Sequence, residues 1–132
     1  MEDVGFRGEN AFRMADLQPQ DIDVAELYDC FTITVLIELE DLGFCKKGEG
    51  GAFVEGGRIE IGGQLPVNTH GGLLSQSQVG RASSLFHVTE AVRQLRGEAG
   101  QRQVPGVNFA LAHGNGGILS THCTLIFGRE ER

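Results

Sequence analysis

Asn68, His70, Gly71, Gly72, Ser75, Ser77 and Gln78 all fall within one stretch, VNTHGGLLSQSQV, over residues 67–79. An apolar strand is expected to run up to Asn68. Gly71 and Gly72 then permit a tight reversal that side chains would obstruct, and a serine-rich segment leads to a helix starting near Arg81. Exposed amides and a helix start facing one crevice can hold an anion or a carbonyl, so Asn68, Gly71 and Gly72 are a candidate nest. The competing reading is an ordinary turn. His70 beside it is expected to be exposed and is a candidate ligand contact. Ser75, Ser77 and Gln78 either reach the same crevice or cap the following helix.

A second permissive turn is expected at His113-Gly-Asn-Gly-Gly, with Gly114 and Gly116 as its flexible points. Tyr28 and Asp29 close a third strand. If these strands run parallel, all three ends open on one edge, where ligands settle in open α/β sheets. Tyr28 would donate a proton or hydrogen bond there, or pack as an amphipathic ring at a layer edge. Tyr28, Asn68 and His113 are the candidate catalytic groups. His70, Gly71, Gly72, Gln78, Gly114 and Gly116 are the candidate contacts to a bound cofactor.

Other polar residues read as structural. His87 falls inside a helix and His122 inside a strand, which favours packing or surface roles. The four histidines lack ligand spacing, so no metal is expected. Asp21 and Asp23 suit local turn hydrogen bonds. Neither a G-x-S-x-G elbow nor a G-x-G-x-x-G fingerprint occurs. Three cysteines without a C-x-x-C pair suggest neither a disulfide framework nor a zinc knuckle. Cys30 and Cys123 read as small buried residues, and Cys45 reads as a residue near a surface loop, beside Lys46 and Lys47, whose charges act to lower a thiol pKa.

The elements that must position these groups follow from pattern. Residues 8–16 suit a short helix with either Phe12 and Ala15, or Ala11, Met14 and Ala15, inward. A turn follows at Pro19, and then a strand over Val24–Tyr28. Phe31, Val35, Leu39 and Leu42 mark one face of a helix ended by Gly43, with Asp29 or Thr32 as its cap. Residues 46–63 hold seven glycines in eighteen positions, a flexible excursion with a small strand at Arg58–Ile61. Leu85, Val88, Val92 and Leu95 mark a helix ended by Gly97, before strands over Val107–Ala112 and Ile118–Phe127. The order is that of an α/β layer with a final hairpin, one sheet face left for a partner.

The 132 residues suffice for one domain, and the hydrophobic content of 40% fits a packed core. Residues 1–60 hold fourteen acids against five bases, and 61–132 hold four against six. The net charge of −7 argues against coating nucleic acid. With one tyrosine and no tryptophan there is no stacking platform. No apolar run approaches the roughly 20 residues that span a bilayer, and no signal peptide is read, so a cytoplasmic location is expected.

The runs DIDVAELYDCF (21–31), NTHGGLLS (68–75) and HGNGG (113–117), in this order and spacing, resemble the carboxyl-terminal domain of thiolases. The similarity is greatest to the sterol-carrier-protein branch, alongside acetyl-CoA acetyltransferases, and covers nearly all of the chain, about the last third of a full-length member. It implies a mixed central sheet with flanking helices, here lacking the first strand. It also implies a nucleophilic cysteine supplied by an absent amino-terminal half, a coenzyme A thioester as substrate and no permanently bound cofactor. Thiolases place Asn or His where Tyr28 stands, the histidine of a Gly-His-Pro motif where Gln78 stands, and a second cysteine near Ala112 or His113. All three positions depart from that pattern, so ordinary thiolysis is not expected.

Three readings follow. The chain is the carboxyl-terminal domain of a thiolase-like acyl-CoA-processing protein, inactive alone and completed by an amino-terminal half or partner subunit, with homo-oligomerisation expected. Alternatively it is part of an acyl-CoA retro-aldolase that works with an OB-fold protein, as some thiolase-like relatives acting on steroid side chains do. The third reading is a structural or oligomerisation module without catalysis.

Overall fold

A computed structural model describes residues 4–76 and 78–129. Its centre is a mixed three-stranded sheet in the order β1 (Val24–Leu27), β2 (Phe109–Gly116), β3 (Thr121–Gly128). β1 and β2 are parallel, with Val24 opposite Ala110 and Leu27 opposite His113. β2 and β3 form an antiparallel hairpin, with Ala112 opposite Leu125. The strand expected to end at Asn68 is reduced to one parallel bridge, Val67 to Ala25, on the free side of β1.

Period-two alternation divides β1 between two cores. Ala25 and Leu27 join Phe12, Leu39, Leu42 and Leu111 on the side of α1 (Val4–Ala15) and α2 (Thr32–Asp41). Val24 joins Ala91, Val107 and Ala110 under α5 (Ser84–Arg96). Helices therefore cover both faces of the sheet. Short helices α3 (Gly50–Val54) and α4 (Gly72–Ser75) sit in the intervening loops. Among the described residues, no helix is long and apolar enough to cross a membrane.

Several local expectations are corrected. Residues 58–61 form turns rather than a strand, because Arg58 and Ile59 carbonyls accept only Leu65 and Val67 N–H and no ladder extends from them. The turn expected at His113–Gly117 begins later: β2 continues through Gly116, with Gly114 opposite Cys123 and Gly116 opposite Thr121. Gly114 serves close packing, since a Cβ there would lie 2.6 Å from the Ser84 hydroxyl on α5. Met14 is 87% exposed, whereas Phe12 is buried as expected. Cys123 is exposed on β3, between Thr121 and Leu125, which are exposed on the same face. Cys45 has a raised pKa, through burial and the nearby Glu40 and Glu49 carboxylates, so the neighbouring lysines do not prevail.

The largest departure concerns α5. Its buried residues are His87, Glu90, Ala91 and Gln94, while Leu85 is 63% exposed. The apolar stripe read from sequence is turned partly away from the interior: Val88, Val92 and Leu95 are half-buried, with Leu95 packed against the Val24 cluster. Much of that polar face is satisfied by hydrogen bonds: Gln94 donates to Thr69 Oγ1 at 3.0 Å and to the Arg102 carbonyl at 2.9 Å, and accepts from Val104 N at 2.9 Å.

Candidate functional site

The site begins where β1 ends. Asn68 has a positive φ of 51°, which Asn tolerates better than most residues, and its side chain clasps the last strand residue. Oδ1 accepts Leu27 N–H at 2.7 Å and Nδ2 donates to the Leu27 carbonyl at 3.0 Å. This completes the pairing that the single bridge at Val67 starts. Both ends of the Asn68 amide are thereby directed at backbone.

Gly71 (φ 94°) and Gly72 (φ 70°) then turn the chain into α4. The amides exposed by that turn meet an internal carboxylate: Asp29 Oδ1 accepts Leu73 N–H at 2.7 Å, and Oδ2 accepts Leu74 N–H at 3.3 Å. A side chain at Gly72 would collide with the Asp29 carboxylate, which explains the glycine. Asp29 thus caps α4 from a distance rather than α2, whose first turn follows Phe31 without a side-chain cap.

His70 was expected at the surface, but its side chain is 4% exposed. The preceding residue draws it inward: Thr69 N–H and Oγ1 both reach Glu26 Oε1, at 3.3 and 2.9 Å. His70 Nδ1 then lies 3.1 Å from Glu26 Oε2, and its ring meets His87 edge to face at 5.2 Å. His87 Nδ1 is 3.9 Å from the same Glu26 oxygen, and its Nε2 is 3.8 Å from Asp29 Oδ1. Tyr28 approaches the His87 ring at 6.4 Å between centroids. Glu26 and His87 are functional candidates that the sequence reading passed over. The available signal was a lone acid inside an otherwise apolar strand, at a position that alternation aims towards α5.

Behind this cluster the Thr69 hydroxyl also lies 2.9 Å from Glu90 Oε1. One hydroxyl proton serves one carboxylate at a time, so the two acids share it. Burial acts to raise the Glu90 pKa, but hydrogen bonds from Arg102, Thr69 and Gln94 outweigh it and hold it below the ordinary value. Arg102 grips Glu90 at 3.0 and 3.2 Å.

Tyr28 and Gln78 are brought together: Gln78 Nε2 donates to the Tyr28 hydroxyl at 3.4 Å. His113 sits beside Leu27 in the ladder, but its ring turns to β3, with Nδ1 2.9 Å from Thr124 Oγ1 and Nε2 3.3 Å from His122 Nδ1. Burial chiefly, then the His122 and His87 rings, push its pKa down to about 4. Asn115, one step along the same face, donates to Glu38 Oε1 at 2.8 Å. Gly116 lies at the end of β2, and Ser77 lies outside the described residues. Beside Asn68 and Asp29, an apolar cavity of ≈ 470 Å³ is lined by Ile33, Leu36, Val54 and Leu74. That volume is in the range of small-molecule sites.

The thiol chemistry available nearby is slight. Cys30 Sγ lies 3.4 Å from Thr34 Oγ1, and Cys123 is on the exposed side of β3. Gln78, hydrogen bonded to Tyr28, has no titratable proton to exchange.

Residues 3–129 match the family model described as thiolase C-terminal domain-like. The chain belongs to that family. It is 47% identical over 120 residues to an acetyl-CoA acetyltransferase of Methanothermobacter thermautotrophicus, covering 91% of this chain and 31% of that protein. It is 46% identical over 105 residues to sterol carrier protein 2 of Oryctolagus cuniculus, covering 80% of this chain and 19% of that protein. Among solved structures, the Ltp2-ChsH2(DUF35) aldolase superposes with a TM-score of 0.86 at 40% identity, covering 96% of this chain and 31% of that one. The chain spans a third or less of the length of these relatives. The sequence resemblance and the mixed sheet flanked by helices agree with this membership.

Proposed function

We propose that this chain is the carboxyl-terminal part of a thiolase-type carbon–carbon lyase, a retro-aldolase acting on acyl-CoA thioesters together with an OB-fold partner protein. The observation that carries this reading is the pairing of Tyr28 with Gln78 at the position where a thiolase would present its motif histidine. A glutamine cannot take a proton from a thiol, whereas a phenol can exchange one with a substrate hydroxyl. The solved relative named as an aldolase supports the same choice.

In a retro-aldol step, the β-hydroxyl of a hydroxyacyl thioester loses its proton to a base and its oxygen becomes a carbonyl. The bond between the α and β carbons breaks, and its electron pair enters the thioester enolate. A proton returned to the α carbon completes a shortened acyl-CoA and a ketone. Tyr28 is assigned the proton exchange, Gln78 the orientation of its hydroxyl, and the apolar cavity beside Asn68 the acyl part.

Phe31, Ile33, Leu74 and Leu85, all more than half exposed, support an interface with the remaining half of the catalytic body. Dimer formation and a cytoplasmic location belong to the same proposal. The test is to combine this chain with its amino-terminal half and the partner protein, and follow ketone release from an acyl-CoA whose 3-hydroxyl is tertiary. Release that depends on Tyr28 supports the reading. Robust thiolysis of acetoacetyl-CoA by the isolated chain would sink it.

A further inference from the structure

Glu26, His70 and His87 each offer a ligand atom, and these atoms lie within 4.8 Å of one another. They come from three separate elements: β1, the loop before α4, and α5. All three side chains are almost wholly buried, at 0%, 4% and 1% exposure. Among the described residues, Glu26 Oε2 and all four imidazole nitrogens find no hydrogen-bond partner, although His70 Nδ1 stands 3.1 Å from Glu26 Oε2. Buried polar atoms are nearly always hydrogen bonded, and a buried carboxylate needs a compensating charge. Three of these orphaned atoms, one from each residue, gather within 4.8 Å of one another, which describes a place made for a cation.

We propose that Glu26 Oε2, His70 Nδ1 and His87 Nδ1 bind a divalent transition-metal ion of the zinc class. Two imidazoles and one carboxylate are a donor set that zinc accepts, with a fourth position left for water. Zinc bonds of about 2.0–2.2 Å put tetrahedral donors roughly 3.4 Å apart, so the imidazoles close by about 1 Å on binding. The outer groups are in place. Glu26 Oε1 is held by Thr69 N–H and Oγ1, which leaves Oε2 pointing at the histidines. His87 turns its other nitrogen towards Asp29 Oδ1 at 3.8 Å, so that a shift of under about 1 Å on metal binding would make the carboxylate–histidine hydrogen bond that fixes a ligating ring. The ion fastens the loop before α4 to β1 and α5. Sequence spacing gave no hint of the site because its ligands are 44 and 17 residues apart and meet only through the fold.

The test uses the chain stripped of metal with a chelator and titrated with zinc or cobalt(II). One equivalent is expected to bind, with cobalt showing the visible absorption of a four-coordinate site and zinc raising Tm until one equivalent is present. His70→Ser and His87→Gln are expected to weaken binding by more than about 100-fold, beyond the loss of an outer-shell contact. His122→Ala, which alters the other histidine pair, leaves it intact. Histidine ring NMR of the unaltered chain covers the case of a variant that fails to fold: zinc should shift the rings of His70 and His87 alone, through Nδ1. Absence of saturation at one equivalent, affinity indifferent to both ligand variants, or shifts confined to His113 and His122 would overturn the proposal.

Discussion

The Gln78 side-chain amide donates to the Tyr28 hydroxyl at 3.4 Å, joining the end of β1 to the segment that leads into α5. The hydrogen bond orients a phenol that also rests against the His87 ring. If Tyr28 exchanges the substrate proton, Tyr28→Phe in the reconstituted assembly lowers kcat by about 100-fold or more, in the range of general acid–base contributions. Gln78→Ala costs less, since it leaves the phenol in place. Equal activity of Tyr28→Phe and the parent in a ketone-release assay would assign the ring to packing.

Gly72 and Asp29 give a stability prediction independent of any activity. The left-handed backbone at Gly72 and the carboxylate lying against it leave no space for a Cβ. Gly72→Ala should destabilise the chain by roughly 1–3 kcal/mol. Asp29→Ala should cost about 2 kcal/mol, because the Leu73 and Leu74 amides lose their acceptor. Urea unfolding followed by circular dichroism measures both, and a change within about 0.5 kcal/mol for either variant would contradict the capping role.

These two relationships mark the limits of what the sequence discloses. Val24–Leu27, the α2 segment and the glycine-ended α5 are legible from period and punctuation, and three motif runs point to the family. The placement of Tyr28, Asn68 and Gly114 at one end of the sheet is also readable, once β1 and β2 are taken as parallel. The buried polar face of α5 is not. Periodicity counts apolar residues, and here Leu85 is left outside while His87, Glu90 and Gln94 are taken in by long-range hydrogen bonds. Asp29 was equally illegible in its real task, because the helix it caps lies forty-four residues away.

His113 sets a stability limit on the acid side. Burial, with the neighbouring His122 and His87 rings, lowers its pKa from 6.5 to about 4. The folded chain therefore binds fewer protons at this site than the unfolded one between those values. The contribution is fully present above pH 6.5 and is lost as pH falls towards 4. His113→Gln should flatten that portion of the curve, while its lost packing lowers stability throughout. Urea midpoints measured at half-unit steps from pH 4 to 7 supply the comparison, and parallel curves would remove His113 as the source.

Glu38 acts in the opposite direction. It is 1% exposed, and burial raises its pKa from 4.5 to about 8 despite the hydrogen bonds from Asn115 and the Tyr28 backbone, with the Asp29 charge adding to the rise. At neutral pH it is a protonated acid. The folded state then holds a proton that the unfolded state has released, so stability falls as pH rises from 4.5 to about 8 and levels off above that. The size of the loss is on the order of a few kcal/mol. Between pH 6.5 and 8 the His113 contribution is constant, so this window separates Glu38 from His113. Glu38→Gln keeps an oxygen for Asn115 Nδ2 and has no proton to lose. The variant should be at least as stable as the parent at pH 8 and show a flat profile from 6.5 to 8. An unchanged downward slope in Glu38→Gln would mean that Glu38 is already ionised in the folded chain and that another buried group is responsible.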